Sequence, residues 1–209
     1  AAIIALIAFL RMRMHRRRVA LLQQRRDDQV HYAFIINPSK PAAAQTRQRI
    51  EAYCKAKGLT EVVFIETVRG KVGRVCALGA LDGGADVVIA VGGDGTVRTV
   101  ASALAGTEHA MGIVPIGTGN LFARNMGIPL DDIEAALTIA VSHGSRRVDL
   151  GRVNLLDDPT EDHGHAFLII AGIGFDAVMI DDTDPNLKRN FSWLAYFFSG
   201  AKHLFAPKY

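Results

Sequence analysis

Cysteine is scarce in this chain: only Cys54 and Cys76 occur among its 209 residues. Two thiols this far apart form neither the short-spaced pairs of a zinc site nor a disulfide framework. Both lie in segments with helical periodicity. We therefore expect them to be small core or boundary residues of a protein from a reducing compartment.

Long hydrophobic runs are scarce as well. Residues 1–10 are apolar and uncharged, but a helix needs about 20 such residues to span a bilayer. The chain opens at an alanine inside this run and continues into a basic stretch. We therefore expect residues 1–28 to be a truncated membrane anchor with a cytoplasmic basic flank. A basic amphipathic surface helix is the alternative, whereas a cleavable signal peptide is disfavoured because the charges follow the apolar run.

An excess of positive charge is missing from most of the chain. The net charge is +3, and seven arginines fall within the first 26 residues. They are Arg11, Arg13, Arg16, Arg17, Arg18, Arg25 and Arg26. The remaining residues are slightly acidic, and the basic cluster is not interleaved with aromatic residues. This pattern argues against a nucleic-acid partner.

Strand patterns alternate with helical periodicity along the first two thirds of the sequence. The strands are predicted at residues 32–36, 62–65, 87–91 and 113–114. The helices are predicted at residues 41–57, 71–81, 96–104, from 120 onward and at 130–141. Such alternation predicts an α/β domain with a parallel sheet covered by helices on both faces. No G-x-G-x-x-G follows the first strand, which excludes a Rossmann oxidoreductase.

The alternation of strand and helix patterns ends after residue 145. Strands are predicted at residues 147–154 and 166–173, with a loop and no long helix between them. This favours an antiparallel, β-rich second domain. The predicted organisation is therefore an anchor and basic flank at 1–28, a nucleotide-binding α/β domain at 29–144 and a partial β-rich domain at 145–209.

A glycine-rich turn follows the most apolar strand. Residues 87–91 are β-branched or small and apolar, and they lead into Gly92, Gly93, Asp94, Gly95 and Thr96, which we call the first glycine turn. Helical periodicity follows at once. Glycines let backbone N–H groups approach an anion closely, and a helix N-terminus adds partial positive charge. Asp94 is then placed to bind Mg²⁺ or a hydroxyl proton, while a structural cap is the alternative role.

A second turn of the same kind follows the next strand. The second glycine turn contains Gly117, Thr118, Gly119 and Asn120, and Asn120 is predicted to be a helix N-cap. Ligands of parallel sheets collect outside the carboxyl ends of the strands, so both turns are expected to face one ligand. Arg124, one helical turn later, is expected either to face that pocket or to pair on the surface.

Five segments in this order resemble the diacylglycerol kinase catalytic-domain family, which includes bacterial lipid kinases and sphingosine kinases. The resemblance covers residues 30–180. Its segments are Ile-Ile-Asn-Pro at 35–38, the first glycine turn at 92–96, residues 115–124, Val-Asp-Leu-Gly at 148–151 and Gly-Ile-Gly-Phe-Asp at 172–176. Many members carry Asn-Glu where this chain has Arg98 and Thr99. NAD kinases share the first glycine turn.

The resemblance implies a nucleotide-binding domain of the phosphofructokinase and NAD-kinase kind, followed by the start of a β-rich domain for the lipid substrate at residues 145–209. It also implies ATP, Mg²⁺, a lipid substrate and a membrane surface as partners, and it leaves a homodimer open. The implied nucleotide-binding residues are Asn37, Thr67, Gly92, Gly93, Asp94, Gly95, Thr96, Gly117, Thr118 and Asn120. Asp94 is the first candidate for the catalytic acid, ahead of Asp149 and Asp176. The family's C-terminal acidic motif is not in this sequence.

The resemblance thus predicts a membrane-associated lipid kinase whose catalytic domain lies on the cytoplasmic side. It would transfer the γ-phosphoryl group of ATP to a diacylglycerol or sphingoid-type alcohol. Two alternatives stay open: a soluble NAD-kinase-like enzyme, and a non-catalytic lipid-sensing module with the same fold.

Overall fold

A computed structural model describes residues 30–68, 73–154 and 164–171. Its strands are β1 (Tyr32–Ile36), β2 (Val62–Glu66), β3 (Val87–Gly92), β4 (Ala110–Pro115), β5 (Gly151–Val153) and β6 (His165–Phe167). Its helices are α1 (Ala43–Lys57), α2 (Gly73–Asp82), α3 (Asp94–Leu104), α4 (Leu121–Asn125) and α5 (Ile133–Ala140). The predicted anchor, the segment at 172–176 and Asp176 lie outside the described residues.

The first four strands form a parallel sheet in the order β2-β1-β3-β4, which confirms the predicted fold class. β1 is buried at every position because it lies between two strands and both of its faces are covered. Alternate residues of β1 and β3 belong to two different core clusters. One cluster includes residues of α2 and α3, and the other includes residues of α1 and α5. The helices therefore cover both faces of the sheet.

Helix α1 shows how local sequence sets an element and its end. Its buried residues recur at helical spacing, and they are Ala43, Thr46, Ile50 and Cys54. Gly58 ends the helix with φ of 70°, and its amide reaches the carbonyl oxygens of Cys54 and Lys55. The predicted stop at Gly58 is therefore confirmed.

Both cysteines are buried and free, as predicted. Burial raises the pKa of the Cys54 thiol to about 11. The thiol is therefore protonated and unreactive at neutral pH.

Several predicted boundaries differ from those in the structure. Helix α3 begins at Asp94 instead of residue 96, because Gly93 is extended and takes the N-cap position. Strand β4 extends over Ala110–Pro115, since its parallel pairing with β3 supplies partners for residues before Ile113. Helix α5 begins at Ile133, where the side chain of Asp132 caps it by accepting the Ala135 amide.

The change of sequence pattern after residue 145 corresponds to a small pair of antiparallel strands. β5 and β6 pair with Arg152 opposite Ala166, and each strand has only three residues. The antiparallel pairing was predicted, whereas the predicted strands were longer. Among the described residues, no helix is long and apolar enough to cross a membrane.

Candidate active site

The carboxyl ends of the parallel strands bring several turns together. The amide of Asn37, just after β1, donates to the Val91 carbonyl in β3 at 3.0 Å. The Ile116 amide, after β4, donates to the Gly92 carbonyl at 3.0 Å. The Thr67 amide, after β2, donates to the Ile36 carbonyl at 2.9 Å. Four chain segments therefore meet at one edge of the sheet, as the strand order requires.

The two glycine turns touch at Gly93 and Gly117. A Cβ atom on Gly117 would overlap the Cα atom of Gly93, and a Cβ atom on Gly93 would lie 3.2 Å from Gly117 Cα. Only glycine permits this approach. It also leaves the backbone of both turns without side chains that would keep an anion away.

Lys40 completes this arrangement from the loop after β1. Its Nζ atom lies 3.8 Å from the position that a Cβ atom would take on Gly93. Within the described residues, this ammonium group forms no ion pair. A cation therefore lies beside the two turns. We did not predict Lys40, although its position three residues after Asn37, at a strand's carboxyl end, was a usable signal.

Asp94 connects the two turns through its carboxylate. Its Oδ1 atom accepts the Phe122 amide in the first turn of α4 at 3.4 Å. Its Oδ2 atom lies 3.0 Å from the position of a Cβ atom on Gly119. Asp94 is thus a helix cap, as the alternative role required, but it caps α4 and not its own helix α3. This contact occupies Oδ1 and leaves Oδ2 facing the second glycine turn.

Asn120 takes the N-cap position of α4, but its side chain does not cap the helix. Within the described chain it is the one non-glycine residue with positive φ, at 48°. Its Oδ1 accepts the Gly117 amide at 3.0 Å, and its Nδ2 donates to the Gly117 carbonyl at 2.7 Å. The predicted N-cap position is therefore confirmed, whereas the expected side-chain cap is absent because the side chain folds back onto Gly117. Its predicted nucleotide contact stays a prediction.

Asn37 and Thr96 link the first strand to the first glycine turn. Asn37 Nδ2 donates to Thr96 Oγ1 at 3.3 Å. Asn37 Oδ1 accepts both the amide and the hydroxyl of Ser39, which closes an Asx turn. A Cβ atom on Gly92 would overlap the Thr96 side chain. These residues fix the backbone shape of the site.

The remaining predicted residues differ in how open they are. Thr118 and Gly95 are exposed, and Thr67 and Gly119 are half-buried. Arg124 is exposed on α4. Asp149 is exposed too, and it lines a groove of about 730 Å³ that includes Val87 and Ala110 at the amino ends of β3 and β4. Of the two described acid candidates, Asp94 is therefore the one at the glycine turns.

Metal ligands are sparse in this site. Among residues 30–68, 73–154 and 164–171, no group of three His, Cys, Asp or Glu side chains could hold a metal ion. Mg²⁺ is commonly bound by one or two carboxylates together with substrate phosphates and water. Asp94, whose Oδ2 has no hydrogen bond among the described residues and lies beside the second glycine turn, fits that pattern.

Taken together, these features define an α/β domain in which two glycine turns meet at the carboxyl ends of parallel strands. The sequence profile of the diacylglycerol kinase catalytic domain matches residues 31–153. The chain therefore belongs to the diacylglycerol kinase catalytic-domain family, and the resemblance drawn from its motifs is confirmed.

Three known proteins illustrate this relationship. The diacylglycerol kinase of Bacillus subtilis is 36% identical over 121 residues, which are 57% of this chain and 37% of that protein. A probable lipid kinase, YegS-like, of Xanthomonas campestris is 32% identical over 181 residues, or 83% and 56% of the two chains. The crystal structure of a diacylglycerol kinase from Bacillus anthracis is 27% identical, with a TM-score of 0.46, and covers 59% of this chain and 42% of that one. The chain thus spans about two fifths to just over half of these proteins.

Proposed function

We propose that the protein is an ATP-dependent lipid kinase, which transfers the γ-phosphoryl group of ATP to a lipid hydroxyl. Relatives named diacylglycerol kinase and lipid kinase support this reaction class. The observation that carries it here is the contact between Gly93 and Gly117 with the Lys40 ammonium beside it. Phosphoryl transfer depends mainly on positioning and charge neutralisation. The contact between the two glycines would position the phosphates, and the Lys40 ammonium would neutralise their charge.

The nucleotide phosphates fit the two glycine turns. Backbone amides of residues 92–96 lie at the N-terminus of α3, where the helix dipole favours an anion. The Lys40 ammonium adds a positive charge beside Gly93 of the first glycine turn. Thr67 and Thr118 carry hydroxyls at this edge of the sheet and are proposed as further nucleotide contacts.

Asp94 is proposed as the catalytic or Mg²⁺-linked acid. Its Oδ1 is held by the Phe122 amide, so the carboxylate has a fixed direction, and Oδ2 is available. Mg²⁺ would be held by Asp94, and when bound it would neutralise phosphate charge. In the first role the carboxylate would accept the proton of the acceptor hydroxyl, and in the second it would hold Mg²⁺ beside the reacting phosphate.

The acceptor is proposed to be a water-insoluble alcohol, either a diacylglycerol or a sphingoid base. A membrane surface is then the natural partner, with the catalytic domain on its cytoplasmic side. The arginine-rich stretch at residues 11–18 would be attracted to an anionic leaflet by about 1 kcal/mol per residue near the surface.

The proposal is tested by incubating the protein with γ-labelled ATP and a panel of acceptors. The panel contains diacylglycerol, a sphingoid base and NAD. We expect label in one of the lipids and none in NAD. Label in NAD alone would support the NAD-kinase-like alternative, and ATP binding without transfer to any acceptor would support the non-catalytic alternative.

Asp94→Asn provides the matched test of the acid. We expect it to lower kcat by about two to three orders of magnitude, as the loss of one charged group at a reacting centre does. Asp131→Asn, an exposed aspartate outside the site, is the control. The circular dichroism spectra of both variants should match that of the wild type. Wild-type turnover by folded Asp94→Asn would contradict the assigned role.

A further inference from the structure

Arg98 of helix α3 has a hydrogen-bond partner outside that helix. It lies one helical turn after Asp94 on α3. Residues four apart on a helix share a face, so an ion pair between the two was available. Instead, Arg98 Nη1 points to the backbone carbonyl of Ala166 at 3.4 Å. The arginine thus reaches out of the parallel-sheet domain.

Ala166 belongs to β6, the second strand of the antiparallel pair. It is buried, and it stands opposite Arg152 of β5 in the register. A neutral carbonyl that accepts a charged donor makes a stronger hydrogen bond than one between neutral groups. The contact with Arg98 therefore attaches the edge of this pair to helix α3.

An apolar contact supports the same attachment. Leu168, directly after β6, packs against the core cluster that includes Val97 and Val100 of α3. Helix α3 and β6 are in contact along this side. Among the described residues, the Arg98 hydrogen bond and the packing of Leu168 on this cluster thus both connect the antiparallel pair to the side of α3, and α3 begins at the first glycine turn.

We propose that Arg98 is a positioning residue that docks the β5–β6 pair on α3 and so couples this pair to the first glycine turn. The proposal rests on the proposed function and adds the premise that the β5–β6 pair belongs to the part of the chain that holds the lipid alcohol. Docking would then keep the acceptor hydroxyl in line with the phosphate that the glycine turns hold. In this role Arg98 acts through the β5–β6 pair and not by direct contact with a substrate.

The test measures amide hydrogen exchange at residues 165–167 in the full chain, with and without the nucleotide AMP-PNP. In the wild type we expect the nucleotide to slow this exchange, because it orders α3 and α3 holds β6. Arg98→Met keeps the apolar stem and removes the donor. It should raise exchange at β6 about tenfold and abolish the nucleotide effect.

Two further variants sharpen the result. Arg49→Met removes an exposed arginine of α1 that pairs with Glu134, and it should leave exchange at β6 unchanged. Arg98→Lys keeps a cationic donor and should restore most of the protection that Arg98→Met loses. Exchange at β3, residues 87–92, serves as the internal reference for global stability.

Kinetics separate positioning from mere stability. Arg98→Met should lower kcat for lipid phosphorylation about tenfold while the Kd for AMP-PNP stays unchanged. Wild-type exchange at β6 in Arg98→Met would overturn the docking, and wild-type kcat despite faster exchange would overturn the positioning role. A wild-type protein without kinase activity would contradict the proposed function instead, and the exchange data would still decide the docking and its nucleotide coupling.

Discussion

Single glycines at the carboxyl edge of the sheet differ in the space around them. Gly117 has no room for a Cβ atom, because Gly93 Cα already occupies that position. Gly95, in the first turn of α3, has no atom within 4 Å of such a Cβ. The two glycines therefore differ in their physical role. Gly117 allows the close approach of two backbone segments, whereas Gly95 leaves the surface of α3 open at its first turn.

Gly117→Ala is expected to destabilise the fold by about 1–3 kcal/mol, because the turns must move apart. Gly95→Ala is the matched control, and it should be neutral or stabilise the helix by up to about 1 kcal/mol. Urea unfolding measures both changes. Equal midpoints for the two variants would show that the Gly93–Gly117 contact does not constrain the turn.

Lys40 is a second feature of this scale. The loop that carries it has no strand or helix pattern, so periodicity gave it no weight. Its importance follows from one distance, the 3.8 Å between Nζ and the Cβ position of Gly93. A single charged side chain beside two glycine turns changes the electrostatics of the whole site, because its charge faces no acidic partner among the described residues.

At the scale of elements, α5 shows how a short helix is stabilised. It has eight residues, too few to be stable alone in water, and its stability comes from packing and capping. Gly112 of β4 lies against Ala140 so closely that a Cβ atom there would be 2.8 Å from the alanine's own Cβ. Asp132 Oδ1 accepts the Ala135 amide at 3.0 Å at the other end. One contact sets the helix–strand distance and the other sets the first turn.

Asp132→Ala should lower the free energy of unfolding by about 1 kcal/mol, since it leaves an N-terminal amide of α5 without its side-chain acceptor. Asp131→Ala changes the neighbouring exposed aspartate and removes the same charge without removing a cap. Urea unfolding of both variants separates the cap from the charge. Equal losses in the two variants would show that the charge alone matters.

At the scale of the whole molecule, the amino edge of the sheet has its own link between β1 and β3. The His31 amide donates to Asp86 Oδ2 at 2.9 Å, and the Asp86 amide donates to the His31 carbonyl at 2.9 Å. The hydrogen bond from the His31 amide lowers the pKa of the Asp86 carboxyl below its usual value, and the His31 side chain adds to this. The link therefore depends on the ionised carboxylate.

This lowered pKa sets the sign of the pH dependence. The unfolded chain binds the Asp86 proton more readily than the folded chain, so stability rises with pH through this range. The contribution is present above the pKa of the unfolded state and is lost as the pH falls through the folded pKa. Asp86→Ala should lower the urea midpoint at pH 7, and the difference from wild type should shrink as the pH falls into the acidic range. A difference that does not change with pH would contradict this link.

The amino-acid sequence by itself determined the alternation of elements and the two glycine turns. Buried strands such as 32–36 and 87–91 can be predicted from the sequence because both faces of a central parallel strand are apolar. Gly58 as a helix stop and the glycines of the turns can be predicted because the backbone conformation that requires glycine is a local property. The family's motifs made the family and its reaction class predictable, whereas the roles of the site residues stay predictions.

The tertiary structure alone decided which groups meet. Asn37 and Thr96 are 59 positions apart, and Asp94 reaches Phe122 across 28 positions. Asn120 turned back to Gly117 instead of capping α4, because Asp94 from another segment takes the Phe122 amide. Arg98 gained its partner, and Lys40 its place beside Gly93, in the same way. Such contacts arise from strand order and helix packing, which local periodicity does not encode. The sequence therefore predicted which residue types lie in the site but not which residues they contact.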